Sequence, residues 1–184
     1  VPPAVAEAAM KSGAARTTIT DLDAYRASLT ARLDPTVSSL FTIFERVKAN
    51  PKRVVFAEGE EEKTIRAAQA FRNAGYGEPI LIGRPSIIAS RLDRFGLKIR
   101  PQTDFDVVNP EDDPRFRSYV DDYFALVGRK GVIPEAARTI VRTNSTVIAA
   151  LAIRRNEADA MICGLEGRYQ KHLRDVSQII GKAP

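Results

Sequence analysis

The spacing of apolar residues along this chain changes near residue 53. Before it, the spacing is helical. Val37, Leu40, Phe41, Phe44 and Val47 stand at i, i+3, i+4, i+7 and i+10. That pattern predicts an amphipathic helix from Pro35 with one buried face, ended by Asn50-Pro51. Ala4 to Lys11 is a run of strong helix formers closed by Gly13. Asp21 stands where a side-chain oxygen would cap a second helix reaching Leu33.

From residue 53 onward, short apolar runs alternate with helical patterns. Arg53 to Ala57, Pro79 to Gly83, Phe105 to Asn109 and Asp159 to Cys163 read as strands, the first, second and fourth of them buried. Between them lie a helix through Ala74 with Ile65, Ala68 and Phe71 inward and another from Pro85 to about Phe95. Next come a stripe of Tyr119, Val120, Tyr123, Phe124 and Val127, and helices from Pro134 to Arg142 and from Asn144 to Arg155. A last helix carries Tyr169, Leu173, Val176 and Ile180 at i, i+4, i+7 and i+11, which predicts that this stripe faces inward. Strands alternating with helices predict an α/β fold: a parallel sheet with helices on both faces, preceded by an all-helical N-terminal segment. The composition break near Pro51 divides residues 1–50 from residues 51–184.

Composition narrows the chemistry. The chain has 184 residues, 44% of them hydrophobic and 28% charged, which excludes a disordered chain. No apolar run reaches membrane-spanning length, and no secretory signal pattern opens the chain. It starts at Val1 and ends at Pro184 as if cut from a longer protein. One cysteine and one histidine exclude a disulfide framework and a Cys-based or multi-His metal site, and fit a cytoplasmic setting. The net charge of +5 is not spread evenly: residues 126–184 carry ten Lys/Arg against five Asp/Glu. A local basic region points to an anionic ligand. Basic residues are not interleaved with aromatics, which speaks against nucleic acid.

Two places carry candidate chemistry. Gly164-Leu165-Glu166-Gly167-Arg168 links a strand to a helix, where a helix N-terminus offers N–H groups to a phosphate, with Arg168, Lys171 and Arg174 adding charge. Arg174, on the flank of the apolar stripe, is the strongest candidate; Arg168 and Lys171 fit a solvated face equally well. Asn144 and Ser145 open a helix and read either as caps or as polar contacts to an anion. Glu58, Glu60, Glu61 and Glu62 read as a solvated helix start, His172 as a surface or packing histidine, and Cys163 as a small buried hydrophobe. P-loop, HExxH and GxSxG motifs are absent.

Taken together, the segments resemble a known family. Arg53-Val54-Val55-Phe56-Ala57-Glu58-Gly59-Glu60-Glu61 with Ile65-Arg66-Ala67-Ala68 resembles the opening strand and helix of phosphate acetyl/butyryltransferases. Pro79 to Gly83, Arg129 to Val132 with Pro134, and Ala158 to Gly164 resemble later motifs in the same order. Arg129-Lys130-Gly131, Thr143 to Ile148 and Met161 to Gly164 look more like the phosphotransacetylase-like region at the C-terminus of long bacterial NADP-dependent malic enzymes. Pro3 to Ala15 resembles the last helix of a malic-enzyme catalytic domain, and Asp21 to Tyr25 the start of a connector.

The resemblance implies a phosphate acetyltransferase-like fold, of the isocitrate/isopropylmalate dehydrogenase type, truncated to its first half over residues 51–184. Residues 1–50 would then be the end of the catalytic domain and the connector. The implied parent oxidatively decarboxylates malate to pyruvate with NADP and Mg or Mn. None of its catalytic residues falls here, so this part is expected to be inactive alone, to bind acetyl-CoA as an effector and to form a homo-oligomer. The alternative is a fragment of a working phosphate acetyltransferase. By the resemblance, Arg174 takes the place of an arginine that holds a CoA phosphate. The candidate ligand set is Arg174, Arg168, Lys130, Arg129, Asn144, Ser145, Gly164 and Gly167. Neither nucleic acid nor membrane is expected as a partner.

Overall fold

A computed structural model describes residues 2–33, 35–101 and 103–181. The chain falls into two compact units, residues 1–49 and 50–184.

The first unit holds three helices: α1 (Pro2–Lys11), α2 (Leu22–Leu33) and α3 (Pro35–Ala49). The Asp21 carboxylate accepts from the Asp23 and Ala24 amides at 3.0 and 2.9 Å, so it caps α2. The face of α3 expected to be buried is only partly covered. Leu40 is 43% exposed and Phe44 38% exposed, while Phe41 and Val47 are half-buried. The side chain of Val37 lies outside the described residues. A hairpin of two such helices has too little apolar surface of its own to enclose a core.

The second unit follows the strand–helix alternation. Its elements are β1 (Lys52–Phe56), α4 (Glu62–Asn73), β2 (Gly77–Ile82), α5 (Pro85–Phe95) and β3 (Asp106–Val108). They continue as α6 (Phe116–Val127), a short 3-10 turn (Gly128–Lys130), α7 (Pro134–Thr143), α8 (Ser145–Arg154), β4 (Ala160–Ile162) and α9 (Tyr169–Ile179). The four strands are parallel in the order β3-β2-β1-β4. Side chains alternate across the pleat. Val54 and Phe56 join Leu81, Ile65, Ala68, Ile88 and Leu92 under α4 and α5. Val55 and Ala57 join Ile80, Ile82 and the α6–α8 residues Tyr119, Val141, Val147 and Leu151 on the opposite face. Helices therefore cover both faces.

Two glycines are required by close approach. A Cβ on Gly59 would stand 2.6 Å from the Ile82 carbonyl, and one on Gly77 1.9 Å from that of Lys52. Both let the turns around β1 lie flat against neighbouring backbone.

Two expectations fail here for one reason. The fourth strand is shorter than Asp159–Cys163 and is not buried: Ile162 is 54% exposed. The α9 stripe does not face inward either. Tyr169 is 74% exposed, Leu173 48% and Ile180 42%, with Val176 half-buried. The inward face is His172, Asp175, Val176 and Ile179, one position out of phase. Among the described residues β4 pairs only with β1. It is a sheet edge, and the helix that follows it lies at that margin, with apolar side chains left on its outer side.

Candidate functional site

The order β3-β2-β1-β4 reverses direction at β1, so the crevice of a doubly wound sheet opens between the carboxyl ends of β1 and β4. The protein fills part of this crevice itself. A Glu58 carboxylate oxygen accepts from the Gly164 amide at 2.8 Å, across 106 residues of sequence. Glu60 accepts from the backbone N, Nε and Nη2 of Arg84, each at 2.9 Å, and so ties the turn after β1 to the residue before α5. The Arg84 guanidinium holds the Glu60 carboxyl below the ordinary carboxylate range. Glu62 pairs with Arg66 along α4. Among the described residues, no group of three or more His, Cys, Asp or Glu side chains is placed to hold a metal ion. A small cleft of about 210 Å³ remains beside Glu58, Glu60, Glu61, Arg142, Ser145 and Glu166.

The His172 ring stitches this end of the sheet together. Its Nε2 lies 2.6 Å from the Glu166 carbonyl and its Nδ1 2.8 Å from the Thr146 hydroxyl. A carbonyl only accepts, so Nε2 carries the hydrogen. Thr146 is 1% exposed, so this bond satisfies a hydroxyl inside the core. Asn144 caps α8 by accepting from the Val147 amide at 3.3 Å, and its Nδ2 donates to Asp175 at 2.8 Å. Lys171 pairs with the same Asp175 oxygen at 3.1 Å. Cys163 is half-buried against the core. Burial, and then the nearby Glu58 charge, pushes its thiol above the ordinary value.

The second cleft, about 530 Å³, lies on the outer side of α9. Lys130, Gln170, Leu173, Arg174, Ser177 and Gln178 line it. Among the described residues neither Lys130 nor Arg174 makes an ion pair, so two cations face one open cleft beside an apolar side chain. Such a cleft suits a ligand with an anionic group and an apolar portion.

The eight candidate residues therefore separate. Lys130 and Arg174 share the α9 cleft. Arg129 is exposed on the same short turn as Lys130 but does not line it. Arg168 occupies the N-cap position of α9 and is exposed. Asn144 serves as a cap, Ser145 lines the smaller cleft, and the Gly164 amide is taken by Glu58. Gly167 turns the loop with a φ of 90° beside the His172 ring. Gln170, Ser177 and Gln178 went unnoticed in the sequence. Their signal was present, because Gln170, Arg174 and Ser177 recur at i, i+4 and i+7 as a polar stripe.

Comparison with known proteins agrees with this architecture. The sequence model of the phosphate acetyl/butaryl transferase family matches residues 38–184. An NAD-dependent malic enzyme of Rhizobium meliloti is 62% identical over 183 residues, which covers 99% of this chain and 24% of that protein. An NADP-dependent malic enzyme of Escherichia coli is 44% identical over 181 residues, covering 98% of this chain and 24% of the relative. The chain thus spans about a quarter of the length of these curated relatives, at 24%. A phosphotransacetylase structure from Streptococcus pyogenes superposes with a TM-score of 0.67 at 25% identity, covering 77% of this chain and 42% of the other. The strand order, the helices on both faces and the match from residue 38 to residue 184 agree: this chain belongs to the phosphate acetyl/butaryl transferase family.

Proposed function

We propose that this chain is the phosphotransacetylase-like region of a malic enzyme, an assembly and sensing module for an enzyme that oxidatively decarboxylates malate to pyruvate. One observation carries this reading. The two malic enzymes match 98–99% of the chain at 44% and 62% identity, and so reach well into residues 1–37, which lie outside the family match. The phosphotransacetylase structure matches 77% at 25%. In this reading NADP and Mg or Mn are bound by parts of the parent outside these residues. The relatives carry both NAD and NADP in their names.

The effector in this reading is acetyl-CoA, received in the α9 cleft. Support comes from Lys130 and Arg174 standing unpaired beside Leu173, a match to phosphates joined to a thin apolar arm. Calorimetry on the full-length protein tests it. Acetyl-CoA should bind, and Arg174→Ala should weaken binding roughly tenfold or more, the loss of one charge-assisted contact. Equal binding by that variant removes the α9 cleft from the reading. Malate-dependent reduction of NADP or NAD by the full-length protein tests the parent activity. Acetyl transfer between acetyl phosphate and CoA in its place would favour the phosphate acetyltransferase alternative.

A further inference from the structure

We infer that His172 and Asp175 are positioning residues for the α9 cleft: they fix the rotation of α9 about its axis and so aim Arg174 beside Lys130. The inference rests on the reading of that cleft as the acetyl-CoA site. Its starting point is how poorly the first half of α9 is held by apolar contact. In the described helix only Ile179 is fully buried, near the C-terminal end, where the Arg154 guanidinium also donates to the Ile179 carbonyl at 3.1 Å. The apolar residues of the first half, Tyr169 and Leu173, are exposed. What ties this half to the fold is polar. His172 bonds Thr146 and the Glu166 carbonyl, and Asp175 receives Asn144. Thr146 and Asn144 belong to the start of α8, whose residues Thr146 to Ala152 are buried, so the clamp is anchored on a helix packed in the core.

Residues 172 and 175 are three apart and share a face, while Arg174 lies about 100° round the axis from Asp175. Releasing the inner face lets the helix turn, and a turn of that size would carry Arg174 away from Lys130. Lys171, bonded to Asp175 along the same helix, adds nothing to the clamp because both partners move together.

The experiment is a double-mutant cycle by calorimetry with acetyl-CoA on the full-length protein, with hydrogen exchange at the α9 amides measured in parallel. His172→Ala should weaken binding about tenfold. His172→Gln, which keeps an amide donor for the Glu166 carbonyl, should recover part of it. In an Arg174→Ala background the His172→Ala effect should vanish, because it acts through that arginine. His172→Ala should also speed exchange at the amides of residues 169–175 without ligand. A loss persisting in full in the Arg174→Ala background overturns the inference, since the effect is then general. Unchanged exchange at residues 169–175 overturns it even if acetyl-CoA fails to bind; that failure alone counts against the cleft reading and leaves the clamp to be judged by exchange.

Discussion

Glu157 sits among more partners than any other carboxylate described in this fold. It accepts from the Tyr119 hydroxyl, from Arg115 at 3.0 Å and from Arg155 at 2.6 Å. Burial alone would raise its pKa. The Tyr119 and Arg155 hydrogen bonds and the Arg115 charge outweigh burial and bring it below the ordinary value. A carboxyl depressed in the folded state stabilises above its unfolded pKa of about 4.3, and that contribution is lost as pH falls through the lower folded value. Urea unfolding should therefore show stability declining as pH drops below that range. Glu157→Gln should cost about 1–3 kcal/mol at neutral pH and flatten the acid decline. An unaltered acid slope in the variant counts against this account. Gly59 makes a different demand. A Cβ there meets backbone, which cannot step aside, so Gly59→Ala should cost about 1–3 kcal/mol, read as a lower urea midpoint. Neither role was legible in the sequence. Glu157 was one charge among many, and Gly59 sat inside an acidic run that reads as a solvated helix start, whereas in the fold Glu58 bonds the Gly164 amide and Glu60 pairs with Arg84.

Elements were legible where both neighbours supply a covering. α5 runs from Pro85 to Phe95 as expected because proline opens it, Gly96 closes it with φ 63°, and the sheet covers one face. α8 was likewise readable, since an apolar centre behind an Asn cap can only be a buried helix. Its cap has a measurable weight. Asn144→Ala should cost about 1–2 kcal/mol by removing the bond to the Val147 amide and the tie to Asp175, while Ser145→Ala, one residue on, should be close to neutral. Equal effects in thermal melts would contradict the cap assignment. α9 was misread for a physical reason: periodicity finds an apolar stripe but not what lies against it. Tyr169, Leu173 and Ile180 form such a stripe, yet the core is met by a neighbouring stripe containing His172 and Asp175, whose polarity hid it. The same blindness concealed Gln170 and Ser177 in the α9 cleft.

At the scale of the whole chain, most of the exposed large apolar residues described fall in two groups, Leu40, Ile43 and Phe44 on α3, and Ile162, Leu165, Tyr169 and Leu173 at and beyond β4, with Val5, Phe124 and Ile133 outside them. Unpaired strand edges and apolar surface of this kind associate in water. Residues 1–184 on their own should sediment as concentration-dependent oligomers, and Ile162→Lys with Tyr169→Lys should shift them towards monomer. A single monomeric species at all concentrations would refute this.

The strand order also sets a schedule. β1 can pair with β2 soon after both are made, but its other edge waits for β4; the tie between Arg53 and Asp159, like that between Glu58 and Gly164, joins residues 106 positions apart. At a synthesis rate of about 5–20 residues per second, that edge stays open on the ribosome for roughly 5–20 s. For that interval the nascent chain carries a hydrophobic strand with an unfilled side, and a chaperone that shields such strands would find its substrate there.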